Sequence, residues 1–255
     1  MFARSFAVFA ITAAFTVPAV LISPVTQAAD AVPAFIQAAV ADAGRPDADK
    51  QRDANRKPGE AIAFAGVKQG DKIAELMPAG GYYTRILSKA VGSKGAVYAM
   101  SPPAAANAPA RPNAIAVMAA DPGYQNIKLA SLDPTTKLPE LVDVAWTSDN
   151  YHDFAARPDA DLAALNKMVF DSLKPGGVYL VIDHASAPGA GKTAVKPLHR
   201  IDPESVKKDL ASVGFVLEAE SNLLKNPQDP HTVAVHDAAL RGTTDQFVLR
   251  FRKPK

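Results

Sequence analysis

The chain has 255 residues, of which 48% are hydrophobic and 21% are charged, and its formal net charge is +2. A chain of this length and composition can bury a large core, which excludes a disordered or fibrous protein. The small net charge and the lack of a basic stripe with interleaved aromatic residues argue against a nucleic-acid partner. Because the sequence has no cysteine, disulfides, thiolate metal sites and a cysteine nucleophile are also excluded.

Residues 1–28 have the layout of a secretory signal peptide. Arg4 precedes an uncharged run over residues 6–22, and a cleavage site is expected after Ala28. The run is shorter than the roughly 20 residues that span a bilayer, so cleavage is favoured over an uncleaved anchor, with no stable membrane insertion afterwards. Without a twin-arginine pair the chain is expected to leave the cytoplasm unfolded, for the periplasm or for secretion.

An N-terminal helical extension is predicted over residues 29–57. Apolar residues recur at helical spacing from Val32 to Val40, and Gly44 ends the predicted helix. From residue 45 to 57, charges of both signs alternate. This pattern is typical of a solvated, self-paired helix face, and a lid or a partner surface is the alternative.

Residues 58–255 alternate between predicted strands and helices, which indicates a single α/β domain. The run 178–183 is apolar on both faces, as expected in the middle of a parallel sheet, whereas 246–252 alternates like an antiparallel strand near an edge. The predicted strands are residues 72–77, 96–101, 127–131, 142–147, 178–183, 215–221 and 246–252. The predicted helices are residues 82–91, 113–120, 161–173 and 203–213.

A candidate ligand-binding turn follows the first predicted strand. Glu75 stands at the end of that strand, and the turn at 78–81 contains Gly80 and Gly81 before a helix begins. Such a turn lets the backbone approach a ligand and directs helix N–H groups at an anion. Loops at 102–112 and 185–197 also follow strand ends, where the ligand crevice of an open α/β sheet lies.

Histidines form a second candidate site. Three of the five follow predicted strand ends or lie in a crevice-bordering loop, namely His152, His184 and His199. With aspartates beside them in sequence, they are consistent with a general base, with a His/Asp metal site or with structural roles. No His-x-x-x-His spacing supports a metal. His231 and His236 fall in residues 226–241, which are predicted to be a surface loop that could cover the site.

Taken together, the turn after Glu75, the strand at 142–147 and the Gly176-Gly177 turn resemble class I S-adenosylmethionine-dependent methyltransferases over about residues 58–253. More narrowly, the chain is similar to the exported, predicted-methyltransferase family. The motifs that carry this resemblance are Arg52-Asp53, Arg56-Lys57-Pro58, the Pro-x-Gly-Gly-Tyr turn at 78–82, Asn150-Tyr151-His152-Asp153, Asp183-His184, Leu198-His199-Arg200-Ile201 and Gly242-Thr243-Thr244-Asp245.

The resemblance implies a three-layer, Rossmann-like α/β fold whose mostly parallel seven-strand sheet has an antiparallel last strand. It also implies methyl transfer from S-adenosylmethionine (SAM) to a small-molecule acceptor. The residues that would hold SAM are Glu75, Pro78, Ala79, Gly80, Gly81, Ser101, Asp133 and Asn150. The candidate catalytic residues, among which His152 or His184 would remove the acceptor's proton, are His152, His184, His199 and Asp183; no metal ligand is predicted.

Two departures from the family pattern leave alternatives open. Met77 and Ala79 stand at the first two glycine positions of the turn, and Ser101 follows Met100 where an acid normally holds the ribose. Asp133, before Pro134, is equally suited to a turn. The alternatives are a methyltransferase-fold binding protein that has lost SAM and binds another small ligand, and a His/Asp metal-dependent enzyme on the same fold.

Overall fold

The computed structural model describes residues 31–103, 113–157 and 161–255. The predicted signal peptide and most of the 102–112 loop lie outside these residues. Within the described part of the chain, no helix is both long and apolar enough to cross a membrane.

The centre of the molecule is one seven-strand sheet. Its strands are β1 (Lys72–Leu76), β2 (Ala96–Ser101), β3 (Ile127–Ser131), β4 (Val142–Ser148), β5 (Leu173–His184), β6 (Val216–Ser221) and β7 (Gln246–Arg252). The order across the sheet is β3-β2-β1-β4-β5-β7-β6. The first five strands are parallel, and β7 is antiparallel to both of its neighbours. This confirms the predicted fold class.

Helices cover both faces of the sheet. They are α1 (Ala34–Val40), α2 (Asp47–Lys50), α3 (Asp53–Arg56), α4 (Pro58–Phe64), α5 (Tyr82–Val91), α6 (Ala114–Ala119), α7 (Tyr151–Ala156), α8 (Leu162–Ser172), α9 (Val195–Leu198) and α10 (Pro203–Ser212). One core cluster joins α1, α4 and α5 to the sheet, a second joins α7, α8 and α10 to the opposite face, and a smaller third joins α6 to β2 and β3. The arrangement therefore has three layers.

The central strand β5 shows why the sheet is buried on both sides. Leu180 and Ile182 pack into the core beneath α1, α4 and α5, while Tyr179 and Val181 pack into the core beneath α8 and α10. The continuous apolar run predicted this placement correctly. The strand is longer than predicted. It pairs with β4 first at Leu173, and after a register shift the pairing continues from Val178.

Several local expectations differ from the structure. The first helix is shorter than residues 31–44, and α4, α7 and α9 were not predicted. The last strand is antiparallel and lies next to the edge strand β6, as predicted, but its second face is covered as well, since Val248 is 1% exposed. A period-2 pattern indicates which residues share a face but does not show whether that face is covered by helices.

The charged segment at 45–57 is self-paired in part, as its pattern favoured, but it is not wholly solvated. Arg45 is 2% exposed, and its guanidinium donates two hydrogen bonds, 2.7 and 2.8 Å long, to the carboxylate of Asp53. Arg56 forms an ion pair with Asp149, 93 residues further along the chain. The segment is therefore tied to the end of β4.

Candidate functional site

The turn after β1 adopts a glycine-like path although two of its residues are not glycine. Met77, Ala79 and Gly81 all have left-handed φ angles, of 51°, 49° and 82°. Each left-handed side-chain-bearing residue costs roughly 1–2 kcal/mol, and such strain persists only where surrounding contacts impose it. The departures at Met77 and Ala79 thus leave the backbone of the glycine-rich turn in place.

Neighbouring strands and helices impose this path. The Met77 N–H donates to the Met100 carbonyl on β2, at 2.8 Å. Asn150, just after β4, donates from its side-chain amide to the carbonyls of Leu76 and Met77. On the other side, the Arg85 guanidinium donates to the carbonyls of the two turn glycines, Gly80 and Gly81.

Glu75 is the buried acid at the end of β1. Its side chain is 3% exposed, and its Oε2 atom has no hydrogen-bond partner among the described residues. Burial raises the pKa of Glu75 to about 7. A buried carboxylate oxygen without a partner is rare, and it points to a group that the protein alone does not supply.

A cavity of about 310 Å³ opens beside Glu75. Its walls come from the turn, the end of β4, the start of α5 and the charged N-terminal segment. The lining residues are Asp49, Arg52, Arg56, Glu75, Leu76, Met77, Pro78, Ala79, Gly80, Tyr82, Tyr83, Trp146, Ser148, Asp149, Asn150 and Asp153. We call this space the turn pocket. Of the residues predicted to hold SAM, it brings together Glu75, Pro78, Ala79, Gly80 and Asn150.

The N-terminal segment supplies a cationic wall, packed on the Tyr82 ring of α5, that was not predicted as part of the site. The Arg52 guanidinium lies 4.9 Å from the centroid of the Tyr82 ring, and that of Arg56 lies 4.8 Å from it. The Tyr82 hydroxyl donates to Asp53 at 2.6 Å. Two family motifs, Arg52-Asp53 and Arg56-Lys57-Pro58, were the sequence signal that could have identified this wall.

The three predicted site histidines lie together in a cluster next to the turn pocket. Ring centroids are 5.8 Å apart for His184 and His152, 5.6 Å for His152 and His199, and 5.0 Å for His199 and His236. His236 was not among the predicted site residues; it arrives from the 226–241 segment. We call these four residues the histidine cluster. Asp153 connects the two sites, since it lines the turn pocket and contacts both His152 and His199.

Asp183 fixes the orientation of His152. Its fully buried carboxylate accepts hydrogen bonds from the backbone N–H groups of His152 and His184 and lies 2.7 Å from His152 Nδ1. Burial lowers the pKa of His152, but the hydrogen bond and charge of Asp183 outweigh that effect, so the net shift is upward. The Nε2 atom, on the opposite side of the ring, is left for Asp153, 3.5 Å away.

His184 and His231 have environments unlike that of His152. Burial lowers the pKa of His184 to about 4, so this histidine is neutral at physiological pH. Its Nδ1 atom lies 2.7 Å from the Thr244 hydroxyl. His231 lies apart from the cluster, with Nε2 2.9 Å from the Asp245 carboxylate.

The remaining predicted cofactor residues lie outside the turn pocket. Gly81 caps α5 and packs against Met118 and Ile115 of α6. Ser101 ends β2, and the Asp133 carboxylate accepts hydrogen bonds from the backbone N–H and the hydroxyl of Thr135. Asp133 thus forms the turn that was the alternative reading of its sequence. Their proposed contacts with SAM stay predictions, since residues 104–112 of the adjoining loop are not described.

Comparison with known proteins identifies the fold. No protein-family model and no curated protein sequence matches the chain. Among solved structures, the chain is similar to a SAM-dependent methyltransferase from Aquifex aeolicus, with a TM-score of 0.55 and 16% identity over 82% of this chain and 98% of that one. It is also similar to the glycopeptide N-methyltransferase MtfA complexed with SAM, with a TM-score of 0.52 and 16% identity over 78% of this chain and 87% of that one.

The protein therefore has the Rossmann-like fold of SAM-dependent methyltransferases. The fold does not by itself fix the reaction. A third similar structure, with a TM-score of 0.54 and 14% identity over 80% of this chain and 82% of that one, is the cyclase SpnF. Function has to be argued from the turn pocket and the histidine cluster.

Proposed function

We propose that this protein is a SAM-dependent methyltransferase that acts on a small acceptor. The observation that carries the proposal is the unpaired Oε2 atom of Glu75, buried at the wall of the turn pocket beneath a glycine-like turn. SAM has a positively charged ammonium group at its methionyl end. A cation at Glu75 would supply the missing partner and stabilise the ionised carboxylate.

The other walls of the turn pocket fit the same ligand. At Gly80 an added Cβ would meet no atom within 4 Å, so the backbone there is open to close approach by a ligand. Arg52, whose side chain is half exposed, offers a positive charge to the methionyl carboxylate. The cavity of about 310 Å³ lies in the range of small-molecule sites, roughly 300–1,000 Å³.

When bound, SAM supplies an electrophilic methyl group. The chain's own residues then have two tasks, which are to align the reactants and to activate the acceptor. Glu75 and Arg52 hold the methionyl end, and the buried rings of Tyr83 and Trp146 exclude water from that wall of the pocket. Activation of the acceptor is placed at His152 Nε2, because Asp183 orients that ring and Asp153 joins it to the turn pocket.

Export is a separate part of the proposal. It is supported by the charge and hydrophobicity pattern of residues 1–28, and it would place the protein in the periplasm or outside the cell. N-terminal sequencing of exported protein is expected to begin at Ala29. A chain that still begins at Met1 would contradict cleavage.

A second candidate function is a binding protein of the same fold that does not use SAM. Ser101 favours it, because a hydroxyl at the end of β2 cannot replace a carboxylate that accepts from both ribose hydroxyls. The similarity to the cyclase SpnF is in keeping with a different use of this fold.

Calorimetric titration with SAM and S-adenosylhomocysteine separates the two candidates. We expect micromolar dissociation constants, about −8 kcal/mol, for the wild-type protein. The variants Gly80→Ala and Gly80→Val add side chains of increasing size at a position where an added Cβ would meet no atom within 4 Å. We expect Gly80→Val to weaken binding more than tenfold without lowering the melting temperature. No binding heat and no thermal shift for the wild-type protein would overturn the methyltransferase proposal and favour the second candidate.

A further inference from the structure

The histidine cluster gathers more potential metal ligands than a single general base requires. Its four rings come from the start of α7, the end of β5, the residue after α9 and the 226–241 segment. These segments are distant in sequence, which is why the spacing of the histidines gave no metal signal. Neutral imidazole is among the preferred ligands of first-row transition metals such as Zn²⁺.

Three potential ligand atoms in the cluster lie close to one another. One nitrogen each of His152 and His199 and one carboxylate oxygen of Asp153 all lie within 4.8 Å of one another. His152 Nε2 lies 3.5 Å from Asp153 Oδ1, and His199 Nδ1 lies 3.8 Å from the same oxygen. Ligands bound to Zn²⁺ at roughly 2.1 Å are separated by about 3.4 Å in a tetrahedral site. The two separations from Asp153 Oδ1 are within about 0.4 Å of this value, and the two histidine nitrogens are at most 4.8 Å apart.

The surroundings of His152 match those of a metal-bound histidine. Histidine ligands commonly donate the second ring N–H to a carboxylate, which fixes the tautomer and leaves the other nitrogen for the metal. Asp183 occupies this position at Nδ1, and two backbone N–H groups hold Asp183 in turn. The lone pair of Nε2 is thereby directed toward Asp153.

The backbone conformation of His199 positions its ring in the cluster. The residue ends α9 in the left-handed region, with φ of 53°, and its side chain is 42% exposed. Histidine is among the non-glycine residues that adopt this conformation most often. Here it places the ring between those of His152 and His236.

We propose that the cluster binds one divalent transition-metal ion through His152 Nε2, the Asp153 carboxylate and His199 Nδ1. Three protein ligands leave a coordination position for water or for a substrate atom. Because Asp153 also lines the turn pocket, a ligand in that pocket lies beside the ion. With Nε2 bound to the ion, His152 would not itself take the acceptor's proton, and activation would fall to a water at the open coordination position. That role rests on the proposed methyltransferase function, whereas binding of the ion does not.

The test is metal titration of full-length protein without a histidine tag, first treated with a chelator. We expect one equivalent of Zn²⁺ to bind, and one equivalent of Co²⁺ to give visible absorption bands. The variants His199→Ala and Asp153→Asn alter half-exposed side chains and should fold normally. Loss of a second-layer partner typically weakens a site 10- to 100-fold, so we expect loss of a direct ligand to weaken it by about 100-fold or more.

The matched control is His231→Ala, which removes a histidine outside the cluster. It should bind Zn²⁺ like the wild-type protein. A wild-type protein that takes up no stoichiometric metal, or a His199→Ala variant that binds as tightly as His231→Ala, would overturn the proposal. SAM titrations of the same variants keep the two proposals apart. Metal binding without SAM binding would contradict only the methyltransferase proposal, and SAM binding without metal would contradict only the metal site.

Discussion

The side-chain amide of Asn150 donates a hydrogen bond to the main-chain carbonyl of Met77, with a nitrogen–oxygen distance of 3.1 Å. Asn150, the second residue after β4, therefore holds the turn that follows β1. Two residues further along, His152 begins the histidine cluster, and one residue earlier, Asp149 pairs with Arg56. A short segment after β4 thus joins the turn, the N-terminal wall and the candidate catalytic residues.

Replacing Asn150 should disturb both stability and ligand binding. Asn150→Ala leaves the buried carbonyls of Leu76 and Met77 without this donor, which typically costs about 1–3 kcal/mol. We expect a lower free energy of unfolding in urea and weaker SAM binding. The matched control is Asn166→Ala, another buried amide, which donates to the Tyr151 hydroxyl away from the pocket. If both variants lost stability and SAM binding to the same extent, a specific role for Asn150 in the turn would be refuted.

Replacing Ala79 with glycine should stabilise the folded protein. The left-handed φ of 49° at Ala79 strains a side-chain-bearing residue, and Ala79→Gly relieves that strain. We expect the free energy of unfolding to rise by about 1 kcal/mol. This is a net value, because the greater freedom of glycine in the unfolded chain offsets part of the relieved strain. In the control, Ala63→Gly in α4, glycine should destabilise by about 1 kcal/mol. Destabilisation of equal size at the two positions would be incompatible with the observed turn.

Gly81 should tolerate a side chain less well than Gly66. Both have φ angles in the left-handed region, 82° and 74°, but a Cβ on Gly81 would lie 2.3 Å from Met118 Cε, whereas Gly66 has open space. The comparison of Gly81→Ala with Gly66→Ala therefore removes the shared backbone strain. We expect Gly81→Ala to cost about 1 kcal/mol more in urea unfolding, because the end of the Met118 side chain must move aside. Equal losses would show that the Met118 side chain moves aside without cost.

Glu75 makes stability depend on pH in a defined direction. Its pKa in the folded protein, about 7, is above the ordinary value of 4.5, so the folded state favours the protonated acid. This contribution is fully present below about pH 4.5 and is lost as pH rises through 7, with a magnitude on the order of 3 kcal/mol. We expect Glu75→Gln to be more stable than wild type at pH 8, with a smaller difference at pH 5. The measurement is urea unfolding at both pH values, and an identical pH slope in the variant would count against this assignment.

Sequence patterns were sufficient for the sheet because burial leaves a local signature. The run at 178–183 is apolar at every position since both faces of β5 are covered, and Glu75 could be placed at a strand end because a turn follows it directly. The same reasoning gave both boundaries of β2, β3 and β7, and it gave those of the other strands approximately. These features depend on neighbouring residues in the sequence.

The parts of the site that were missed depend on contacts between distant residues. The alternating charges around Arg56 look the same whether they face water or pair with Asp149 across 93 residues. His236 lies in a polar segment whose composition predicts a loop, and only the tertiary fold shows that its ring packs against His199. For the same reason, periodicity could not show that both faces of β7 are covered.

A crystal structure of the protein with S-adenosylhomocysteine tests the central claim most directly. The account predicts electron density in the turn pocket, with the ligand's amino group at the Glu75 carboxylate, its carboxylate toward Arg52 and its backbone-facing side against Gly80. A ligand bound elsewhere, or an empty turn pocket at saturating ligand concentration, would contradict the assignment of this pocket to the cofactor.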